Sequence, residues 1–215
     1  MDIEYNLTLI TPPALEPLTL QEVQTYLKVE DITDDEENAY IQSLITVARE
    51  WCETYQHRAY ITQTWELALQ EFPCDGENSL KDYHTSNIIE IPKGKLQSIN
   101  SFKYKDLYGN EITLIENVDY LVSTRGILGK VCPPYGVIFP VTPLFQLDPI
   151  VINFTCGYGD DVTKVPQKVK QAMYMLISHW YDNRSLVSDL RGVDPTKEMA
   201  FAVTALLMMD RITIL

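Results

Sequence analysis

The sequence predicts an α+β fold: a helical bundle built from both ends of the chain, with an antiparallel β-sheet or small sandwich inserted between them. Apolar residues recur at helical spacing over residues 19–56 and again over 166–184 and 197–209. Between these stretches, short runs alternate apolar and polar residues and are separated by turn residues. A helical period at both ends and a strand period in the middle predict helices first, then strands, then helices.

The chain opens with a segment that favours extended backbone. Three prolines between residues 12 and 17 exclude a helix there, and we expect an N-terminal arm over residues 1–18. Thr19 and Glu22 form the pattern of a capping box, in which each residue satisfies a backbone N–H of the other. A short helix should therefore begin at Thr19 and end near Lys28.

A second helix follows the acidic run at residues 31–37. Negative charge suits the positive end of the helix dipole, so this run is expected to start the helix. An apolar stripe carries it to about Gln56 and consists of Ile41, Leu44, Ile45, Ala48, Cys52 and Tyr55. Residues 19–58 and 164–194 are predicted to form the helical core.

The predicted β-rich insertion covers residues 59–163. Trp65, Leu67 and Leu69 alternate with polar or small residues, which indicates a strand with one apolar face. Residues 73–87 are polar and predict a long loop. Further strands are predicted at 88–91, 99–105, 111–115, 120–123, 127–132 and 150–155, with a hairpin-type turn at 108–110.

Residues 154–184 carry the most distinctive local pattern, a strand, a glycine turn and an amphipathic helix. Gly157 and Gly159 allow the positive φ of a sharp turn, and Pro166 suits a first helical turn. The apolar stripe of the helix comprises Val169, Ala172, Met173, Leu176, Ile177, Trp180 and Tyr181. Arg184, which ends the pattern, is expected to pair with a carboxylate or a helix-end carbonyl. The pattern describes packing, not an active site.

The C-terminal segment, residues 195–215, is strongly apolar and follows a predicted N-cap at Asp194 and a proline at N1. An apolar helix at a chain end either packs on its own bundle or docks on a partner, and both alternatives stay open. The methionines of this segment would suit an adaptable contact.

The net charge is −13, with a sequence pI near 4.6. Gripping a nucleic acid requires a basic surface that displaces counterions, so this composition argues against that class of function. An acidic surface would instead repel passing DNA, although acidity that merely aids solubility is the alternative. The four cysteines contain no CxxC pair, and Cys52 and Cys156 are expected to be buried and inert.

No motif of an enzyme, a metal site or a nucleotide cofactor site occurs in the sequence, and no cofactor is predicted. A small metal-dependent hydrolase using Asp82, His84 and the pair Asp160 and Asp161 is the alternative. No apolar run approaches the ~20 residues of a membrane span, and the N-terminus lacks a secretory signal pattern. Synthesis in the cytoplasm is the default expectation, with no membrane partner.

Several stretches, taken in order and spacing, resemble the head–tail connector (adaptor, or head-completion) proteins of tailed bacteriophages and prophages. They are Leu9 to Glu22, Ala59 to Leu67, Phe154 to Gly159, Val165-Pro166 and His179 to Arg184. The family commonly has a glycine after the second helix, whereas this chain has Gln56-His57.

This resemblance implies a non-enzymatic structural subunit of the virion, made in the host bacterial cytoplasm. Such subunits form a ring of about a dozen copies on the portal, and they offer a platform to the next connector or tail-completion protein. DNA passes through the ring without sequence-specific binding. A tail-side structural protein is the alternative within this class.

On this reading two surfaces are candidates for function. The portal contact is assigned to apolar residues of the terminal segment, Phe201, Leu206, Leu207 and Met208. The channel lining is assigned to Asp34, Asp35, Glu36 and Glu37.

Overall fold

The computed structural model describes residues 5–29, 34–73, 87–184 and 195–212, with only the backbone of 195–200. These residues form a mixed α and β fold with antiparallel sheets, which confirms the predicted fold class at that level. The chain divides into two compact units. Described residues of the β unit lie within 1–12 and 62–157, and those of the helical unit lie within 13–61 and 158–213.

The β unit contains two antiparallel sheets. The described strands are β1 (Tyr5–Thr11), β2 (Gln63–Leu69), β3 (Ile89–Ile91), β4 (Leu96–Lys105), β5 (Glu111–Leu114), β6 (Leu121–Ser123), β7 (Gly129–Cys132) and β8 (Ile150–Cys156). A five-stranded sheet has the order β1-β2-β8-β4-β5, and a three-stranded sheet has the order β3-β7-β6. Each strand predicted within residues 59–163 thus corresponds to one of the observed strands β2 to β8.

Strand register defines two ends of the larger sheet. Cys156 of β8 pairs with Gln63 of β2 and with Leu96 of β4. The chain enters the unit just before Gln63 and leaves it just after Cys156, and we call this the crossing end. The opposite end, where Ile150 pairs with Tyr104, is the distal end. The seven residues of β8 separate the two ends by about 20 Å.

Alternate residues of β8 fill the core of the β unit. Successive side chains of a strand point to opposite faces, so one in two can be buried. Ile150, Ile152, Phe154 and Cys156 are fully buried, which confirms the prediction for Cys156. An aromatic cluster completes this core and consists of Phe72, Phe102, Tyr104, Tyr120 and Phe139.

The predicted N-terminal arm contains a strand that sequence reasoning missed. Residues 5–11 form β1, an edge strand that pairs with β2 from Tyr5 opposite Leu69 to Thr11 opposite Thr64. All three prolines of the arm follow this strand. They restrict the backbone only after Thr11, so they do not prevent pairing before it.

Four described helices build the helical unit: α1 (Leu20–Leu27), α2 (Asp35–Gln56), α3 (Gln167–Asp182) and α4 (Pro195–Met208). None of them is long and apolar enough to cross a membrane. The capping box at α1 is present as predicted, since the Thr19 hydroxyl accepts from the Glu22 N–H and the Glu22 carboxylate accepts from the Thr19 N–H. The bond from the Thr19 N–H lowers the pKa of Glu22.

Two helices end without the glycine that such ends favour. Lys28 and His57 have left-handed φ values of 60° and 55°, each at a cost of about 1–2 kcal/mol for a residue with a side chain. After α2 the Arg58 N–H bonds back to the Glu53 carbonyl at 3.0 Å and satisfies the helix end. The helix therefore ends at Gln56, as predicted, although glycine is absent there.

One apolar core fills the helical unit. The predicted stripes of α2 and α3 face it, and the buried members are Ile41, Leu44, Ile45, Ala48, Cys52, Val169, Ala172, Met173, Leu176 and Ile177. Trp180 and Tyr181 pack at its margin and are partly buried. Val203 and Leu207 of α4 complete it and are fully buried.

The helical unit also contains an ionic group centred on the buried side chain of Arg49. The Arg49 Nε atom lies 2.8 Å from a Glu16 oxygen, and its Nη1 atom lies 2.8 Å from a Glu53 oxygen. The other Glu53 oxygen accepts from the Tyr60 N–H at 2.8 Å. Burial alone would lower the pKa of Arg49, but the bond to Glu16 and the charge of Glu53 outweigh it and raise the pKa. Arg49 therefore stays charged inside the unit.

The same network reaches the end of α4. Gln56 is fully buried, accepts from the Tyr60 hydroxyl at 2.7 Å and donates to the Leu207 carbonyl at 2.6 Å. Arg58 donates to the Asp210 carbonyl at 2.6 Å. Side chains near the end of α2 thus hold the C-terminal backbone in place. We call the residues Arg49, Glu53, Gln56, Arg58 and Tyr60 the α2 clamp.

Replacing Arg49, the cation of the α2 clamp, tests how much this residue contributes to the free energy of unfolding. Arg49→Ala leaves Glu53 buried without its cation, so we expect the free energy of unfolding to fall by about 3–5 kcal/mol. Chemical denaturation followed by circular dichroism measures it. Lys130→Ala is the control, because its pair with Glu90 has side chains 48% and 52% exposed. It should cost less than about 1 kcal/mol. Equal losses in the two variants would contradict a structural role for the clamp.

Candidate interaction surfaces

The outer face of α4 is apolar and exposed. Phe201 is 75% exposed and Met208 is 69% exposed, whereas Val203 is fully buried. Phe201 and Met208 are seven residues apart, two helical turns, so they lie on the same face about 10 Å from one another. Leu206 packs at the margin of the core. One face of α4 packs on its own unit, and the other face is exposed, so docking on a partner stays a prediction.

The structure changes the predicted contact set at three residues: Leu206 and Leu207 leave it, and Met209 joins it. Leu207 has no exposed surface and its carbonyl is bonded to Gln56, so its side chain does not belong to the exposed face. Met209, which the prediction omitted, is 81% exposed in the turn after α4. The hydropathy of two neighbouring apolar residues does not show which of them is buried, because packing alone decides that. We call Phe201, Met208 and Met209 the α4 surface.

The end of the α4 surface is held by charged side chains. Asp210 forms an ion pair with Lys168, and the guanidinium of Arg211 lies 4.9 Å from the ring centre of Tyr55. The backbone N–H of Ile212 bonds to the Gln56 carbonyl at 3.0 Å. The apolar side chains are thus carried on backbone that is already ordered, which reduces the entropic cost of binding.

The acidic run begins α2, as predicted. Asp34 is the N-cap and accepts from the Glu36 N–H at 3.0 Å. Asp35 and Glu36 are exposed. Their assignment to a channel stays a prediction. Glu37 differs from its neighbours because it forms an ion pair with Arg184.

Arg184 joins the C-terminal end of α3 to the N-terminal end of α2. Its guanidinium lies 4.6 Å from the ring centre of Tyr40 and 4.8 Å from that of Tyr181. Hydrogen bonds from Arg184 and then from Tyr181 lower the pKa of Glu37. The bond with Glu37 in turn raises the pKa of Tyr181. The carboxylate partner expected for Arg184 is therefore Glu37, and this end of the motif is structural.

The glycine turn of the motif is also structural. Gly157 and Gly159 have φ values of 121° and 122°, which residues with a Cβ rarely adopt. Pro166 stands at the N-cap of α3, and Trp180 accepts through its carbonyl from the Tyr40 hydroxyl at 3.4 Å. The motif thus shapes a turn and two helix ends, as its pattern predicted.

Of the four residues of the hydrolase alternative, the structure describes only Asp160 and Asp161. Asp82 and His84 lie outside the described residues. Asp161 caps a short 3₁₀ turn by accepting from the Thr163 N–H at 2.9 Å. Among described side chains there is no group of three or more His, Cys, Asp or Glu residues that could hold a metal. Burial raises the pKa of the Cys52 thiol to about 12, so this thiol stays protonated.

The fold is shared with proteins of a phage-like particle. A chain in the neck of an empty gene transfer agent (GTA) particle, computed with C6 symmetry, superposes with a TM-score of 0.73 at 20% identity, covering 98% of this chain and 97% of that chain. A chain of the native GTA virion gives 0.71 at 19% identity, with 97% of each chain covered. A chain in the native GTA neck, computed with C12 symmetry, gives 0.64 at 18% identity, with 98% of this chain and 97% of that chain covered.

No protein-family model and no curated protein sequence matches this chain. The structural likeness extends over nearly the whole of both chains, so it is a likeness of complete folds and not of one shared unit. The resemblance to head–tail connector proteins, which rested on sequence motifs, is thereby confirmed at the level of the fold.

The pair of Glu37 and Arg184 makes a pH-dependent contribution to stability. The folded-state pKa of Glu37 lies below its ordinary value of 4.5, so the contribution is fully present above pH 4.5 and is lost as the pH falls through the folded-state pKa. Glu37→Gln should therefore be less stable than the natural protein at pH 7, and the difference should shrink at pH 3. Urea denaturation midpoints at the two pH values measure this.

Glu36→Gln is the matched control, since it removes a neighbouring charge that has no ion pair with a described residue. Its difference from the natural protein should change less between pH 7 and pH 3 than that of Glu37→Gln. A difference for Glu37→Gln that stays constant across this range would show that the ion pair contributes nothing.

Proposed function

We propose that this chain is a structural subunit of the head–tail neck of a tailed phage or phage-like particle. In this role it forms a ring with other copies of itself, docks on the portal, extends the DNA channel and offers a platform for the tail. The observation that carries the proposal is a fold shared over 97–98% of the chain with chains of GTA particles. Two of those chains are in necks that were computed with C6 or C12 symmetry.

The described surfaces support a role in assembly. The α4 surface exposes large apolar side chains on ordered backbone, which is typical of an interface with another protein. The net charge of −13 opposes retention of DNA and suits a channel that DNA must leave quickly. A ring subunit of this kind is not an enzyme, and it acts in the virion after synthesis in the bacterial host.

Reconstitution with the portal ring of the same phage or prophage tests the proposal directly. We expect a ring of this protein stacked on the portal when the mixture is viewed by electron microscopy, and native mass spectrometry gives the copy number. A protein that binds purified tails but never the portal would instead support the tail-side alternative. Binding to neither would overturn the proposal.

The α4 surface is the proposed portal contact. Phe201→Ser together with Met208→Ser should weaken binding to the portal ring by about tenfold or more, because both side chains lose apolar area at the contact. Both residues are exposed, so the denaturation midpoint should change little. Val47→Ser, at a position 48% exposed on α2, is the control and should bind normally. If the natural protein and both variants bound the portal ring with equal affinity, the α4 surface would not be the portal contact.

The acidic run is the proposed channel lining. Asp35→Asn with Glu36→Gln leaves the N-cap Asp34 and the pair of Glu37 with Arg184 intact. Particles carrying this variant should eject DNA more slowly, because less negative charge faces the phosphate backbone. Ejection can be timed with a DNA-binding dye. Glu116→Gln with Asp160→Asn removes the same charge at two other exposed positions. If both variants ejected DNA at the natural rate, the acidic run would not line the channel.

A further inference from the structure

The five-stranded sheet is bounded by two edge strands, β1 and β5. Among the described strands, β1 pairs only with β2, and β5 pairs only with β4. Alternate backbone N–H and C=O groups of an edge strand point away from its single partner. Outside the ladders, no backbone hydrogen bond between described residues involves 5–11 or 111–114. Both edges therefore present backbone donors and acceptors to another strand.

Little in either strand opposes pairing at its edge. Proteins commonly protect such an edge with lysine, proline or a bulge. β1 contains no charged residue and no proline, and its register shifts only between Leu9 and Thr11, at the end of the strand. β5 contains one charged residue, Glu111, which forms an ion pair with Lys103 at 2.7 Å.

The two edge strands run in the same direction. Each pair of neighbours in this sheet is antiparallel, so the first and the last of five strands are parallel. Adjacent subunits of a closed ring of many copies differ by a small rotation, which nearly preserves strand direction. β5 of one copy can then join β1 of the next as a parallel pair, with evenly spaced hydrogen bonds.

The side chains of the two edges also match. Residues opposite one another in the ladders form a row across the sheet: Tyr5, Leu69, Ile150, Tyr104 and Ile112. The next row on the same face consists of Leu7, Leu67, Ile152, Phe102 and Leu114. Ile150 and Ile152 are fully buried, whereas the edge residue Ile112 is 38% exposed. Both rows thus run from a buried centre to apolar side chains that are only partly covered.

Pairing without a shift along the strands would continue these rows into the next copy. Tyr5 would then lie beside Ile112, and Leu7 beside Leu114. Asn6 and Thr113 share the row between them, on the opposite face, and both are exposed. A shift by one residue would instead place polar side chains in the apolar rows, which disfavours it.

We infer that β1 of one copy pairs in parallel with β5 of a second copy, so that the five-stranded sheets join edge to edge around the ring. This inference rests on the proposed function, in which copies of the chain form a ring. A head-to-tail contact needs two different complementary surfaces on every subunit, and the two edges are such surfaces. A strand of a different protein would use one edge and leave the other without a partner.

Cross-linking of the ring assembled on the portal tests the pairing. The variant Asn6→Cys with Thr113→Cys is made with Cys74→Ser and Cys132→Ser, since Cys52 and Cys156 are buried. Within one chain the two new thiols lie four strand spacings apart, about 19 Å, beyond the reach of a short bismaleimide. We expect this reagent to give covalent multimers up to the full ring, with the link between the two new cysteines identified by mass spectrometry.

The control is Asn6→Cys with Ser123→Cys in the same background, because Ser123 is exposed on β6 of the other sheet. It should remain monomeric in the denaturing gel. Rings without the expected link, a link to a different protein, or equal multimers from the control would overturn the inference and leave the proposed function intact. Failure of the natural protein to form a ring on the portal would instead refute the proposed function itself.

Hydrogen exchange of the natural protein tests the same pairing without substitutions. The outward amides of residues 5–9 and 112–114 should exchange about tenfold more slowly in the portal-bound ring than in the monomer, because each gains a hydrogen bond. The amides of β6 are the internal control and should be unchanged. Exchange in β1 and β5 that is equally fast in the ring and in the monomer would overturn the inference.

Discussion

The helical unit depends on the α2 clamp, a set of buried polar side chains near the C-terminal end of α2. A buried arginine, glutamate and glutamine are unfavourable in an apolar core unless each finds partners. Here Arg49 bonds the Glu16 and Glu53 carboxylates at 2.8 Å and the Glu50 carboxylate at 3.5 Å. Glu53 also accepts from the Tyr60 N–H, and Gln56 bonds the Tyr60 hydroxyl and the Leu207 carbonyl. No buried side-chain polar atom of the described residues lacks a partner.

This clamp also explains why the C-terminal segment can be apolar on two sides. Val203 and Leu207 are buried in the core, while the Leu207 and Asp210 carbonyls are bonded to Gln56 and Arg58. The backbone of the segment is therefore held by polar contacts. Its outward apolar side chains, Phe201, Met208 and Met209, are exposed.

In the β unit a different set of hydrogen bonds holds a segment with exposed apolar side chains. In the turn between β4 and β5, one carboxylate, Asp106, accepts hydrogen bonds from two backbone N–H groups and from the Asn110 side-chain amide. Polar atoms below the turn make it rigid, and apolar atoms above it are exposed. In both units, hydrogen bonds hold the backbone of a segment whose exposed side chains include large apolar ones.

Local patterns in the sequence determined the fold class, the stripes of α2 and α3, the capping box at Thr19 and the positive φ of Gly157 and Gly159, because each depends on residues a few positions apart. Tertiary structure alone decided that residues 5–11 join a sheet, that Arg184 meets Glu37, and that Leu207 is buried while Met208 is exposed. The Phe145 N–H likewise bonds to the Lys105 carbonyl, which is distant in sequence. Such outcomes depend on which surfaces meet after folding, and no local period encodes that.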